Sequence, residues 1–392
     1  MAVDSDASID AQFDAIDWEE LSEERPMVGR RTGGFLVALG LLAALFLYDR
    51  FTGYDLSIGA WYAPSRLDWL FVLSLVVFAF AIVVPAVRNR ERTMQYWRRF
   101  RRNRLAVVCA AYLAVFFVLG TASLLVLDRP ATNIQYAKQP ALFATVEAGT
   151  VAINCAGDVT GPAVQQYCHG SLQFPFGTNS VGQSVLELVV AGMGVSLLVA
   201  LVTSMLMVPI ATAVGTVAGY FGGWADDVLM RYVDIQQTVP AFLVYIVLGF
   251  VFGQSLFLIV LVFGLLSWGG VARLVRSEVV QRRGELYVTA AESAGASRLQ
   301  IIRRHILPNV SSTVLTSTAR QIPLLILTEA AISFIVVLGD ENVPSWGQML
   351  TDLNMELWWV WAFPLAFLVI TVFSFSVVGG ALRDTLDPRG NA

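Results

Sequence analysis

Eight long apolar runs constrain this chain more than any other feature. They cover residues 34–48, 69–87, 105–127, 185–218, 232–252, 256–274, 314–338 and 358–381. About 20 apolar residues suffice to cross a bilayer as a helix, and a helix satisfies its own backbone in lipid. The expected fold class is an all-α polytopic membrane protein. Composition agrees: 56% of residues are hydrophobic and 14% are charged, against roughly 25% charged in soluble domains. This composition nearly rules out an ordinary water-soluble enzyme. The run 34–48 is short and ends at Asp49–Arg50. The run 185–218 is too long for one straight crossing, and Gly192, Gly194 and Pro209 are expected to bend or break it.

Arginine placement sets the expected orientation. Residues 88–104 carry eight arginines and residues 273–304 carry seven. Residues 128–183 hold only Arg129 and Lys138, and residues 339–357 hold no basic residue at all. The two arginine-rich loops are expected in the cytoplasm and the other two outside, which puts both termini inside a multi-pass plasma-membrane protein. Residues 1–26 carry nine acids against Arg25, so residues 1–30 read as a solvated, disordered acidic tail. That start is not the basic-then-apolar pattern of a secretory signal. Lys138 is the sole lysine and no glycine pattern precedes it, so a Walker A loop is excluded. Any ATP used with this chain is hydrolysed by another one. No nucleic-acid partner is expected.

Cys109 falls in a span and reads as an inert apolar residue. Cys155 and Cys168 share the external loop, where an oxidising environment permits a disulfide. Two free thiols, or a metal site with His169, are the alternatives. No fourth ligand is evident, so no metal site is assigned.

Residues 284–309 read GELYVTAAESAGASRLQIIRRHILPN. Small helix formers fill 286–294, and Gly295 is placed to end that helix. Ser297, with Gln300 three residues on, makes a capping-box start for a second short helix. Pro308 suits the first turn of the following span. Two short helices with a bend at 295–297 are expected. Ala290, Ala291, Ala294, Gly295 and Ala296 let a partner's backbone approach, and Arg298, Arg303 and Arg304 can meet its carboxylates. A solvated linker, or a helix lying on lipid, fits the spacing alone equally well.

This segment resembles the coupling loop of ABC-importer permeases, whose pattern is E-A-A, three residues, Gly, nine residues, I, one residue, L-P. Ala290, Ala291, Gly295, Leu307 and Pro308 match it, Thr289 stands where Glu is usual, and His305 stands where Ile is usual. The form RHILPN is typical of the dipeptide/oligopeptide branch. The resemblance extends over about residues 98–390. Its other carriers are RRFRRNRLA (98–106), FPFGTNSVGQSVL (174–186, with Asn179 for Asp and Gln183 for Arg), AGYFGGWADDVLMRYVDI (218–235) with Pro240 after it, EAAISF (329–334), PSWGQML (344–350) and LRDTLDPR (382–389). It implies a six-span permease core at 98–392, with an external loop at 128–183 and a coupling loop at 275–309. Residues 31–97 have no counterpart in the basic pattern and read as an added pair of spans with a linker.

The resemblance further implies one half of a permease heterodimer, two cytoplasmic ABC ATPases that bind the ATP, an external solute-binding protein, membrane lipid around the spans and a peptide substrate. This chain would hold no cofactor and catalyse nothing. The residues implied in ATPase coupling are Tyr287, Ala290, Ala291, Gly295, Ala296, Ser297, Arg298, His305, Leu307 and Pro308. Polar residues inside spans are pathway candidates by default: Glu187, Arg320, Gln321, Glu329 and Ser333. Arg320 and Glu329 lie nine residues apart, on opposite faces of one helix. Nickel, glutathione or an oligosaccharide is the alternative cargo within the same branch. A secondary transporter is the rival class, but it would leave the coupling loop unexplained.

Overall fold

The computed structural model describes residues 30–52, 65–127, 129–163, 165–336 and 344–386. The acidic tail, Asp340, Glu341 and the end of the LRDTLDPR stretch lie outside them. Two units are separated near Gly53. In the first, the described residues form helix α1, Arg30–Thr52. It is 23 residues long, or about 35 Å, enough to cross a bilayer.

The described part of the second unit begins at Ser65, whose hydroxyl accepts from the Asp68 N–H while the Asp68 carboxylate accepts from the Ser65 N–H. This reciprocal cap starts α2, Arg66–Arg88. Within α2 a π turn covers Ala79–Val83, and the Val84 N–H reaches back to Ala79. Pro85 follows at once. A helical proline lacks the N–H and crowds the carbonyl four residues back, and the wider turn accommodates it. After a break at Asn89 come α3, Arg90–Phe100, and α4, Arg104–Leu125, capped by Asn103.

Residues 129–184 are not a simple loop. They hold a small antiparallel sheet of β1 (Thr145–Glu147), β2 (Val159–Thr160) and β3 (Tyr167–His169) in the order β1-β3-β2. Cys168 on β3 is disulfide-bonded to Cys155, with 5.8 Å between Cα atoms. Gln139 is buried and gathers the chain around its amide. It donates to the Asn154 carbonyl at 2.6 Å and accepts from the Ala156 N–H at 2.8 Å.

Helix α5, Val185–Phe221, runs 37 residues, about 55 Å. The expected break at Gly192, Gly194 or Pro209 does not occur, because packing holds both halves. A Cβ on Gly194 would lie 2.3 Å from Ser123 Oγ of α4, and one on Gly215 would lie 2.5 Å from the Ala272 carbonyl. One lost helical bond at Pro209, about 3 kcal/mol, does not overcome contact along the whole length.

The run 232–252, expected as one span, is not one continuous helix. It falls in two helices, α6 (Gly223–Thr238) and α7 (Ala241–Phe252), which together are apolar enough for a crossing and meet at 69°. The residue before a proline is driven out of the helical region, and Val239, before Pro240, has φ −89° and ψ 114°. The run 256–274 also breaks, into α8 (Leu256–Leu266) and α9 (Gly269–Arg283). The freed Leu265 carbonyl accepts from the Trp268 indole at 2.8 Å and from the Gln236 amide at 3.1 Å. Helix α10 is Leu286–Ser293, α11 is Arg298–Ile335, α12 is Trp346–Met349 and α13 is Trp358–Leu386.

The apolar interior forms two clusters. One, towards the sheet end, includes Phe71, Phe116, Tyr245, Trp346 and Trp359. The other, towards the far end of α5, includes Met207, Tyr220, Val275, Val279, Val288, Ile301, Ile306 and Val310. Glycines at 215 and 219 let α5 and α9 meet backbone to backbone in that second cluster, the small-xxx-small geometry of membrane helices.

Candidate functional site: a helical elbow at residues 284–309

Helix α10 ends as a Schellman motif. The Ala296 N–H bonds the Ala291 carbonyl at 3.0 Å, and the Gly295 N–H bonds the Glu292 carbonyl at 2.9 Å. The motif requires a left-handed residue, and Gly295 has φ +81°. Ser297 then caps the next helix, its hydroxyl accepting from the Gln300 N–H at 3.4 Å.

The expected second short helix is not a separate element. From Arg298 the helix continues through a π turn at Ile302–Ile306 and into the long helix ending at Ile335. The Leu307 N–H reaches Ile302, and Pro308 comes directly after it. The geometry repeats that of Val84 and Pro85 in α2. Pro308 therefore sits inside a continuous helix, not at the start of a fresh one.

The elbow is fixed to the bundle by apolar anchors. Val288 from α10 and Ile301, Ile306 and Val310 from α11 are buried together with Val275 and Val279 of α9. Ala291 and Ala296 pack partly against them. The Asn309 amide donates to the His305 carbonyl at 2.7 Å and contacts the Tyr287 hydroxyl at 3.4 Å, and the rings of Tyr287 and His305 lie 6.1 Å apart.

Of the residues expected in coupling, Tyr287, Ala290, Gly295, Ser297, Arg298 and Pro308 are exposed, while Ala291, Ala296, His305 and Leu307 are half-buried, the two alanines against the anchors. Arg298 lies 5.9 Å over the Phe221 ring, so part of its charge is used within the chain. Two exposed apolar side chains on the elbow escape the sequence reading: Leu286, at the first position of α10, is 85% exposed, and Leu299, just after the bend, is 56% exposed. Their apolar character at the edges of a polar loop is the available signal.

Charged links brace the neighbouring helices. Arg276 of α9 holds Asp226 of α6 through two guanidinium nitrogens, and Arg273 pairs with Asp234. Gly222 and Gly223, with φ 64° and 54°, make the turn between α5 and α6.

The polar residues of the spans divide. Arg320 lies exposed on α11, on one stripe with Leu324, Leu327 and Phe334. Glu187 is exposed at the start of α5, and Gln321 is half-buried. Glu329 and Ser333, expected along a pathway, are instead enclosed. Glu329 is 1% exposed, and its carboxylate accepts from Ser333 at 2.8 Å. The cause is α12, packed so tightly on α11 that a Cβ on Gly347 would lie 2.0 Å from the Ala330 carbonyl.

Comparison with known proteins places this geometry. The family described as binding-protein-dependent transport system inner membrane component matches residues 211–391, and the N-terminal TM domain of oligopeptide transport permease C matches residues 92–140. The oligopeptide transport system permease protein OppC of Haemophilus influenzae is 38% identical over 55% of this chain and 70% of its own length. OppC of Escherichia coli K12 is 33% identical over 77% and 93%. The dipeptide transport system permease protein DppC of Bacillus subtilis is 28% identical over 76% and 86%. The matched span 211–391 contains the elbow, its anchors and the helices they pack on, and the chain belongs to the family of binding-protein-dependent transport system inner membrane components.

Proposed function

We propose that this chain is the transmembrane permease subunit of an ATP-driven importer of oligopeptides or dipeptides, and that its elbow is where separate ATPase subunits engage. The single observation that supports this most is the construction of α10. It is short, capped at its C-terminus by the Gly295 turn and anchored inward through Val288. Outward it presents Leu286, Tyr287, Ala290 and Gly295. A stiff element with an exposed small-residue surface fits a socket on another protein better than a flexible linker does. The helix beyond Ser297 carries any push on the elbow into the bundle.

In this reading the elbow end is cytoplasmic, as are both termini, and the sheet end meets an external solute-binding protein. A second permease chain completes the pathway, with α11 contributing the stripe that contains Arg320. A guanidinium there suits the carboxylate end of a peptide. The chain itself hydrolyses no nucleotide.

The test is site-directed crosslinking in native membranes. Single cysteines replacing Leu286, Ala290 or Arg298, in a chain whose Cys109 is replaced by Ala, should capture a P-loop ATPase. A cysteine at Leu353, near the sheet end, should not. Failure of all three elbow positions in membranes where the ATPase is present would reject the assignment.

A further inference from the structure

We propose that the bend at Asn89 is a binding site for the headgroup of an anionic phospholipid. Three observations meet there. The first is shape: an open concavity of about 890 Å³ lies where the end of α2 turns into α3, lined by Arg88, Arg90, Glu91, Arg92, Met94 and Arg98, among others. The bend is held in place. The Asn89 N–H bonds the Pro85 carbonyl at 3.0 Å, and the Thr93 hydroxyl donates to the Ala86 carbonyl at 2.7 Å.

The second is charge. Four arginines surround the concavity against one acid, and none of the four is in an ion pair among the described residues. Guanidinium groups bind phosphodiester oxygens through parallel N–H donors. The third is the apolar face. Around α3, Met94, Trp97, Phe100 and Tyr96 lie on one arc, with Arg90 among them at the helix start, and Arg92, Gln95, Arg98 and Arg99 lie on the other. Trp97 stacks on Phe100 with 5.8 Å between ring centres, yet Trp97 remains 42% exposed.

Placement decides the occupant. Helix α3 joins α2 to α4, both long and apolar enough to cross a bilayer, so it lies at a membrane surface whichever side that is. An amphipathic helix with aromatic residues on one face and arginines on the other rests in the headgroup layer. Basic clusters beside a span recruit anionic lipid. A soluble phosphate could meet the arginines, but it would leave the aromatic arc uncovered. A lipid supplies both partners, a phosphodiester for the concavity and acyl chains under the arc. This site is remote in sequence from the elbow, and the inference does not depend on the transport reading.

The experiment uses the full chain in phosphatidylcholine nanodiscs containing a minor fraction of phosphatidylglycerol, with retained lipid identified by native mass spectrometry. The wild type should retain phosphatidylglycerol over phosphatidylcholine, less so as salt is raised. The combined Arg88→Gln, Arg90→Gln, Arg92→Gln and Arg98→Gln chain should lose roughly tenfold or more of that preference. The same four positions changed to Lys, which keep the charge and lose the paired donors, should fall between wild type and the Gln chain. Equal retention of the two lipids by the wild type, or unchanged preference in the Gln chain, overturns the site. So does displacement of the lipid by inorganic phosphate at low salt. The wild-type measurements decide the matter even if the Gln chain does not fold.

Discussion

The guanidinium of Arg283 donates to the main-chain carbonyl of Tyr220 at 2.8 Å. This ties the last turn of α9 to the last turn of α5, beside the residue where the elbow begins. Both helices end at one level, and the Gly222 turn, the Arg276–Asp226 pair and the first residues of α10 gather around them. The elbow thus springs from a braced platform, and its mechanical behaviour is open to test at single positions.

At Gly295 the requirement is conformational rather than steric. A Cβ there would meet nothing within 4 Å, yet φ is +81°. An alanine costs about 1–2 kcal/mol in that region, while asparagine tolerates it. Gly295→Asn should therefore keep more substrate-stimulated ATPase activity in the assembled complex than the smaller Gly295→Ala. Gly295→Asp should insert normally but uncouple transport, by adding a charge at the exposed turn. An order set by side-chain size alone would contradict this account.

The contact between α5 and α9 makes the opposite demand. A Cβ on Gly219 would sit 2.8 Å from both the Arg276 carbonyl and Val279 Cβ. Gly219→Val should cost at least about 1–3 kcal/mol through overpacking. It should appear as a lower midpoint in detergent thermal unfolding. Gly380, with nothing within 4 Å of its Cβ position, provides the control: Gly380→Ala should leave the midpoint near wild type.

The disulfide between Cys155 and Cys168 closes a loop with a sequence separation of 13. Loops of that size correspond to about 3 kcal/mol of lost unfolded-state entropy. Replacing both cysteines by serine should speed proteolysis within residues 129–184 and leave elbow crosslinking intact. If the serine chain resists protease as the wild type does, the bond does not stabilise this region.

Arg320 and Glu329 should separate in function as they do in exposure. Arg320→Gln should raise the KM for peptide uptake, by roughly 10- to 150-fold if a charged hydrogen bond of about 1.5–3 kcal/mol is lost. Peptides with an amidated C-terminus should show little change. Glu329→Gln keeps an acceptor for Ser333 and should leave that KM unaltered. A specific uptake defect at Glu329 with an intact thermal midpoint would assign the roles the other way round.

Hydropathy alone makes the seven candidate spans among the described residues legible, six of them single helices and the seventh the pair α8–α9, because a span must be apolar over its whole crossing. Trp358 is even the correct first residue of α13. The kink between α6 and α7 is present in the Val239–Pro240 pair, but an apolar run reads as continuous when only its length is weighed. The sheet near Cys168 is not legible: strands of two and three residues carry no period, and the disulfide and the Gln139 bonds beside them join residues 13 and more positions apart. The end of α10 at Gly295 and the cap at Ser297 can be read directly, since each is a local rule. The π turn cannot, because Pro308 suits a first turn and an interior bulge alike. Burial of Glu329 depends on α12, which arrives from a distant stretch of chain.

The unbroken path from Arg298 to Ile335 makes one rod of 38 residues, about 57 Å, embedded in one apolar cluster at Ile301, Ile306 and Val310 and in the other at Ala330. Under the proposed function a push on the Arg298 end would travel along this rod to the Ile335 end, and the π turn at Ile302–Ile306 and Pro323 are the points at which it would bend.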